Sequence, residues 1–112
     1  MFANKKSEME TLLKESEKLY NEFKLDEARE LLELVLKEQS DHKEALLLLG
    51  KLHSKTQDYG QAMNCFNKVL LAEPGNNEAT TGLQLIKNIL QLTNNFYFEN
   101  AYTDDDLYEF EK

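Results

Sequence analysis

The sequence has few cysteines, few runs of β-branched residues and no long apolar stretch, which are the features of disulfide-linked, β-rich and membrane-spanning proteins. It contains one cysteine, Cys65, so a disulfide within the chain is impossible. Runs of Val, Ile and Thr long enough to form strands are missing. No stretch approaches the roughly 18 consecutive apolar residues that a membrane-spanning helix requires. These absences predict a helical chain without a membrane span.

Positive charge is also scarce. The chain has 13 Lys and Arg residues against 21 Asp and Glu residues, which gives a net charge of -8. Nucleic-acid binding requires a basic face that attracts phosphates, so we expect no nucleic-acid partner and no anionic membrane partner. The N-terminus becomes polar at Lys5 and Lys6 without an apolar segment, so we expect no signal peptide. Together with the lone cysteine, this favours the cytoplasm.

Residues that could carry catalysis or bind a metal form no recognisable pattern. His42 and His53 are the two histidines, and neither has a partner at ligand spacing. Residues 104–106 are three aspartates without the glycine and distal glutamate of a calcium loop. A glycine-rich phosphate loop is missing as well. We therefore expect no enzyme, no cofactor and no metal, and we interpret Cys65, next to Phe66, as a small core residue.

Helical periodicity is what the sequence does contain. Apolar residues recur at intervals of three and four along most of the chain, which predicts five helices. We expect Ser7 and Glu10 to form a capping box at the first helix, and Asp41 and Glu44 to form a similar pair at the third. The second helix is expected to begin near Leu25.

The last two helices have clear boundary signals. The fourth is expected to begin near Tyr59 and to stop at Pro74 and Gly75, because proline lacks the backbone donor and glycine accommodates the turn. Asn77 is expected to cap the fifth helix, which should end near Leu92.

The sequence repeats itself after thirty-four residues. Shifted by that distance, Ala28 falls on Ala62 and Leu32 falls on Phe66. Helix–turn–helix units of this length stack into a solenoid, because one unit cannot bury its apolar faces alone. Small residues such as Gly50 would lie where two helices cross closely, and Phe66 is expected to be buried between repeats.

The second unit, residues 43–76, resembles the tetratricopeptide-repeat family. The positions that carry the resemblance are Leu46 at the place of the signature tryptophan, Leu49, Gly50, His53 at the place of the tyrosine, Ala62, Phe66 and Pro74. The first unit, residues 9–42, is weaker, with Ser16 at the place of the glycine and Ser40 at that of the proline. The fifth helix supplies half of a third unit. The resemblance covers residues 8–92 and implies an all-α, tetratricopeptide-repeat-like solenoid of five antiparallel helices.

In that family, the first helix of each repeat lines a concave groove that binds peptides. The resemblance therefore implies a non-enzymatic adaptor or scaffold that binds a peptide or protein segment. The implied groove residues are Leu13, Glu17, Tyr20, Asn21, Leu47, Lys51, Lys55, Leu85 and Ile89. The four apolar members are expected to form one exposed stripe, as contact surfaces often do.

Residues 1–7 are expected to form an N-terminal arm, residues 8–92 the helical domain, and residues 93–112 a tail. The tail holds six of the eleven aromatic residues and is expected to pack on the last helix, whose apolar arc is too wide for the fourth helix to cover. Two alternatives remain open. The tail or the bare helix face could join two copies as a homodimer, or the tail could be a detachable acidic–aromatic peptide that docks into a groove on this chain or on a partner.

Overall fold

The computed structural model describes the backbone of residues 5–101 and the side chains of residues 6–93. Within that range the chain folds into five α-helices. They are α1 (Lys5–Asn21), α2 (Leu25–Glu38), α3 (Lys43–Lys55), α4 (Tyr59–Ala72) and α5 (Asn77–Ala101). The predicted all-α fold of five helices is confirmed.

The helix boundaries reproduce the thirty-four-residue repeat. α2 begins at Leu25 and α4 at Tyr59, while α1 ends at Asn21 and α3 at Lys55. Consecutive helices pack against each other, and in addition α1 contacts α3 and α3 contacts α5. The odd-numbered helices therefore form one layer and the even-numbered helices a second layer, as in a helical solenoid.

The core is centred on Phe66 of α4, whose side chain is 2% exposed. Two glycines leave room for its ring. A Cβ atom added to Gly50 of α3 would lie 2.7 Å from the ring, and one added to Gly82 of α5 would lie 2.6 Å from it. The ring therefore lies between α3 of the second unit and α5, which begins the third. The predicted burial of Phe66 between repeats is confirmed.

Two helix ends carry a residue in the left-handed conformation. Phe23 follows α1 and Gln57 follows α3, each with φ of 64°. The N–H of Phe23 donates to the carbonyl of Tyr20 at 3.0 Å, and the next N–H donates to Leu19 at 2.8 Å. Gln57 and its successor make the equivalent pair of bonds. This is the Schellman pattern, in which glycine is favoured because it lacks a Cβ atom.

Gln57→Gly is expected to stabilise the protein by about 0.5–1 kcal/mol. The left-handed conformation costs an L-residue roughly 1–2 kcal/mol, and the greater freedom of glycine in the unfolded chain offsets part of the gain. Urea unfolding of the variant and the wild type measures the difference. Gln61→Gly, at an exposed position inside α4, is the matched control and should instead lose about 0.5–1 kcal/mol. A lower unfolding midpoint for both variants would show that the turn at Gln57 is not strained.

The first helix begins earlier than predicted. α1 begins at Lys5, so Ser7 lies inside the helix and not at its cap. The carbonyl oxygen of Ser7 accepts a hydrogen bond from the hydroxyl of Thr11 at 3.1 Å, one helical turn later. The predicted capping box of Ser7 and Glu10 is therefore wrong.

The cap of α3 lies one residue after its predicted position, and the cap of α5 lies one residue before it. His42, and not Asp41, caps α3, because its Nδ1 atom accepts the backbone N–H three residues later at 3.2 Å. Asn76, and not Asn77, offers its Oδ1 atom to the N–H three residues later, at 2.9 Å. In both places polar residues are adjacent, and the start of the helical backbone decides which one reaches the free N–H group.

α5 is longer than predicted. It continues through Asn94 and Asn95 to Ala101 instead of ending near Leu92, and the added segment contains no glycine or proline to stop it. Residues 93–101 therefore extend the helix and do not fold back along it. The packing predicted for the tail concerns the side chains of residues 94–112, which lie outside the described residues.

Candidate protein-binding surface

The odd-numbered layer presents one continuous surface, called here the groove face, formed by outward side chains of α1, α3 and α5. Two contacts between helices show this continuity. The Nζ atom of Lys51 on α3 lies 2.9 Å from the Oε2 atom of Glu78 on α5. The Nζ atom of Lys55 on α3 lies 4.9 Å from the ring centroid of Tyr20 on α1. Side chains from three helices can therefore contact a single partner.

Most predicted groove residues lie on this layer's surface, but one does not. The exposed members are Glu17, Asn21, Lys51, Lys55 and Leu85, and the half-buried members are Leu13, Tyr20 and Ile89. Leu47 is only 6% exposed and belongs to the core. α3 lies between α1 and α5, and its central apolar side chains are covered by neighbouring helices. The prediction that Leu47 forms part of an exposed apolar stripe is therefore wrong.

Leu13 and Glu17 line an open cleft of about 970 Å³ between α1 and the turn that leads into α3. The other residues around it are Lys6, Met9, Glu10, Lys14, Gln39, Asp41, His42, Lys43 and Glu44. The lining thus mixes apolar surface with charges of both signs. This composition suits a polypeptide segment, which carries both apolar and polar groups.

An exposed ion pair near this face joins the two ends of the second unit, residues 43–76. The Nζ atom of Lys43 lies 3.2 Å from the Oε2 atom of Glu73, which follows α4. A hydrogen bond from the side chain of Asn76, together with that from Lys43, holds the pKa of Glu73 below its ordinary value. An exposed pair of this kind contributes little to the stability of the fold.

The C-terminal end of the groove face carries a cluster that we call the aromatic corner: Tyr20, Phe23 and Lys55. The Lys55 ammonium lies 4.8 Å from the ring centroid of Phe23 and 4.9 Å from that of Tyr20. Both distances are within the range of a cation–π interaction. Partial burial raises the pKa of Tyr20, and the nearby charge of Lys51 opposes that shift. Tyr20 and Lys55 were predicted groove residues, whereas Phe23 was missed.

Phe23 could have been found from the repeat itself. It stands thirty-four residues before Gln57, in the turn after α1, where a polar residue or glycine is expected. A phenylalanine in such a turn has no core to enter, and its ring is indeed 70% exposed. An aromatic residue in a turn position is therefore a signal for a surface contact.

The opposite layer has a second cleft, of about 540 Å³, between α2 and α4. Arg29, Glu33, His53 and Asp58 are among its lining residues. Burial lowers the pKa of His53, and the Asp58 carboxylate, 3.9 Å away, opposes that shift. The predicted packing role of His53 agrees with its half-buried position.

Acidification is expected to destabilise the protein through His53. Because its pKa is lower in the folded state, the unfolded chain binds the proton more readily. The contribution is therefore fully present above the ordinary imidazole pKa of about 6.5. It declines as the pH falls below that value towards the folded pKa. Urea unfolding at a series of pH values measures the slope, and His53→Gln should flatten it. An identical slope in the variant would assign the pH dependence to other groups.

Cys65 is buried between helices, as predicted for a core residue. Burial raises the pKa of its thiol to about 11. The thiol is therefore protonated at neutral pH, and the protonated form is a poor nucleophile.

Two further findings concern the part of the chain that the structure describes. No three His, Cys, Asp or Glu side chains there come together as a metal site. None of its helices is both long and apolar enough to cross a membrane.

Stacked helical hairpins in two layers define a helical-repeat solenoid. A family model described as Tetratricopeptide repeat matches residues 19–86, more than half of the chain, so the protein belongs to the tetratricopeptide-repeat family. None of the curated proteins matches the chain. Tetratricopeptide repeats generally mediate protein–protein interactions, and members of the family are typically non-enzymatic.

Proposed function

We propose that this protein is a non-enzymatic adaptor that binds a peptide or protein segment along the groove face. The observation that carries the proposal is the placement of two binding features on one layer. The cleft beside Leu13 and the aromatic corner at Tyr20 lie along α1, seven residues or about 10 Å apart. An extended segment of about three residues spans that distance.

The surroundings of these features suit a polypeptide better than a small molecule. The groove face offers separate charges, such as Glu17 and Lys55, and partly exposed apolar side chains such as Leu13 and Leu85. Binding through several weak contacts of this kind is typical of a segment recognised over its length. We place the protein in the cytoplasm as a scaffold, in keeping with its single buried cysteine.

Site-specific photo-crosslinking tests the groove. A photoreactive residue is introduced at position 17 on the groove face or, as a matched control, at position 33, an exposed glutamate beside the opposite cleft. In native lysate, position 17 should form a discrete crosslinked product that position 33 does not form. Lys55→Gln should weaken that product. A product formed from position 33 alone would contradict binding on the groove face.

Self-association through α5 is the second candidate function. Leu85 and Leu92 are 55% and 67% exposed, and Leu90 is exposed as well. Light scattering over a range of concentrations decides between the two functions. A dimer that Leu92→Glu converts to a monomer would support self-association, whereas a monomer at all concentrations would exclude it.

A further inference from the structure

We propose that the aromatic corner docks the chain's own acidic–aromatic segment, residues 104–110. The segment would occupy one end of the groove face until a partner displaces it. Only the displacement rests on the proposed adaptor function, since docking within the chain can be measured without a partner.

Phe23 is the first observation behind this inference. Its φ of 64° is costly for a bulky L-residue, and its ring is 70% exposed, so little burial offsets the cost. The turn itself does not require an aromatic residue, because Gln57 adopts the same backbone conformation thirty-four residues later. What Phe23 adds is a ring held beside Lys55, available to a further ligand.

The charge of Lys55 is the second observation. The other two lysines of α3, Lys43 and Lys51, each have a glutamate carboxylate within 4.0 Å. Lys55 instead lies over two aromatic rings, and it forms no ion pair with a carboxylate of the described residues. The corner thus offers an ammonium group and two aromatic faces. Its complementary ligand carries carboxylates next to apolar or aromatic side chains.

Residues 104–110 have that chemistry. Their sequence is Asp-Asp-Asp-Leu-Tyr-Glu-Phe, with four carboxylates, two aromatic rings and one leucine. The segment has no basic residue, so its charge is opposite to that of Lys55 throughout. Stacking of Tyr108 or Phe110 on Phe23 would add an aromatic pair to the ionic contact.

The segment is also close enough in the chain. The repeat register places Ile89 of α5 level with Lys55 of α3, and α5 continues twelve residues further to Ala101, about 18 Å. Neighbouring helices lie roughly 8–10 Å apart, so the path from Ala101 back to Lys55 is about 20 Å. Six or seven extended residues after Ala101 cover that path, which brings residues 107 and 108 to the corner. A tether this short gives an effective concentration on the order of millimolar, so weak docking suffices.

Paramagnetic relaxation in the full-length chain tests the docking. A nitroxide label is attached through Glu111→Cys, and Cys65, which is 7% exposed, is expected to react much more slowly. We expect broadening of the backbone amide signals of residues 20–24 and 54–57, independent of protein concentration. A parallel labelling of the wild type checks that Cys65 stays unmodified.

Matched variants separate the corner from general effects. Lys55→Gln should abolish the broadening, while Lys68→Gln, which removes the same charge on α4, should retain it. Phe23→Gly and Gln57→Gly each place glycine in the same left-handed backbone conformation. Only Phe23→Gly should release residues 104–110 from the corner. Each variant is first checked for an unchanged helical circular-dichroism spectrum.

Three results would overturn the inference. Broadening centred on residues 85–92 would place the tail on the last helix, and broadening that grows with concentration would place it on a second copy. Broadening that survives Lys55→Gln would remove the corner from the contact. The adaptor function is judged separately by crosslinking from position 17, so either proposal can fail alone.

Discussion

Phe66→Ala is expected to lower the free energy of unfolding by about 3–5 kcal/mol, the usual cost of removing a buried phenylalanine. The ring is 2% exposed and lies against both Gly50 and Gly82, so its loss opens a cavity between α3, α4 and α5. Domains of this kind have a total stability of roughly 5–15 kcal/mol. The variant should therefore be partly unfolded at moderate temperature.

Urea titration followed by circular dichroism measures this loss. Phe66→Leu is the matched control, because it keeps an apolar side chain of similar reach and should lose less than Phe66→Ala. A loss below about 1 kcal/mol for Phe66→Ala would show that the ring does not hold the repeats together.

Gly82→Ala is expected to cost about 1–3 kcal/mol, although alanine is normally the better helix former. The added Cβ atom would lie 2.6 Å from two ring atoms of Phe66, closer than packed carbon atoms approach. Either the ring or α5 must shift to accommodate the added atom.

Gly60→Ala is the control for Gly82→Ala, since nothing lies within 4 Å of the added Cβ atom at position 60. It should gain up to about 1 kcal/mol from helix propensity. In the Phe66→Leu background, Gly82→Ala should cost less, because the two sites share one contact. Equal costs of Gly82→Ala in both backgrounds would mean that the clash with the ring is not the cause.

The groove could be predicted in part. Tyr20 and Lys55 follow from the family resemblance and meet in the structure, whereas Leu47 was placed on the wrong side of α3. A helix that packs between two others is buried on two sides. The repeat pattern alone does not show which residues at the edge of the exposed face are covered by the neighbouring helices. Whether the predicted residues bind a partner stays a prediction.

Helix boundaries show a similar division. The starts of α2 and α4 were predicted correctly because the repeat and the turns between helices mark them. The extension of α5 to Ala101 was missed, although Asn94 and Asn95, which follow Leu92, do not stop a helix. Asparagine is a weak helix former, not a helix breaker.

By itself, the sequence determined the helical class, the thirty-four-residue period and the central place of Phe66. Those properties lie in the spacing of apolar and small residues, which local chain geometry imposes on every repeat. Only the tertiary structure decided that Leu47 is buried and that Phe23 meets Lys55. The physical reason is that burial and cation–π contact depend on distances between different helices. Residues thirty-two positions apart come together only after α1 has packed against α3.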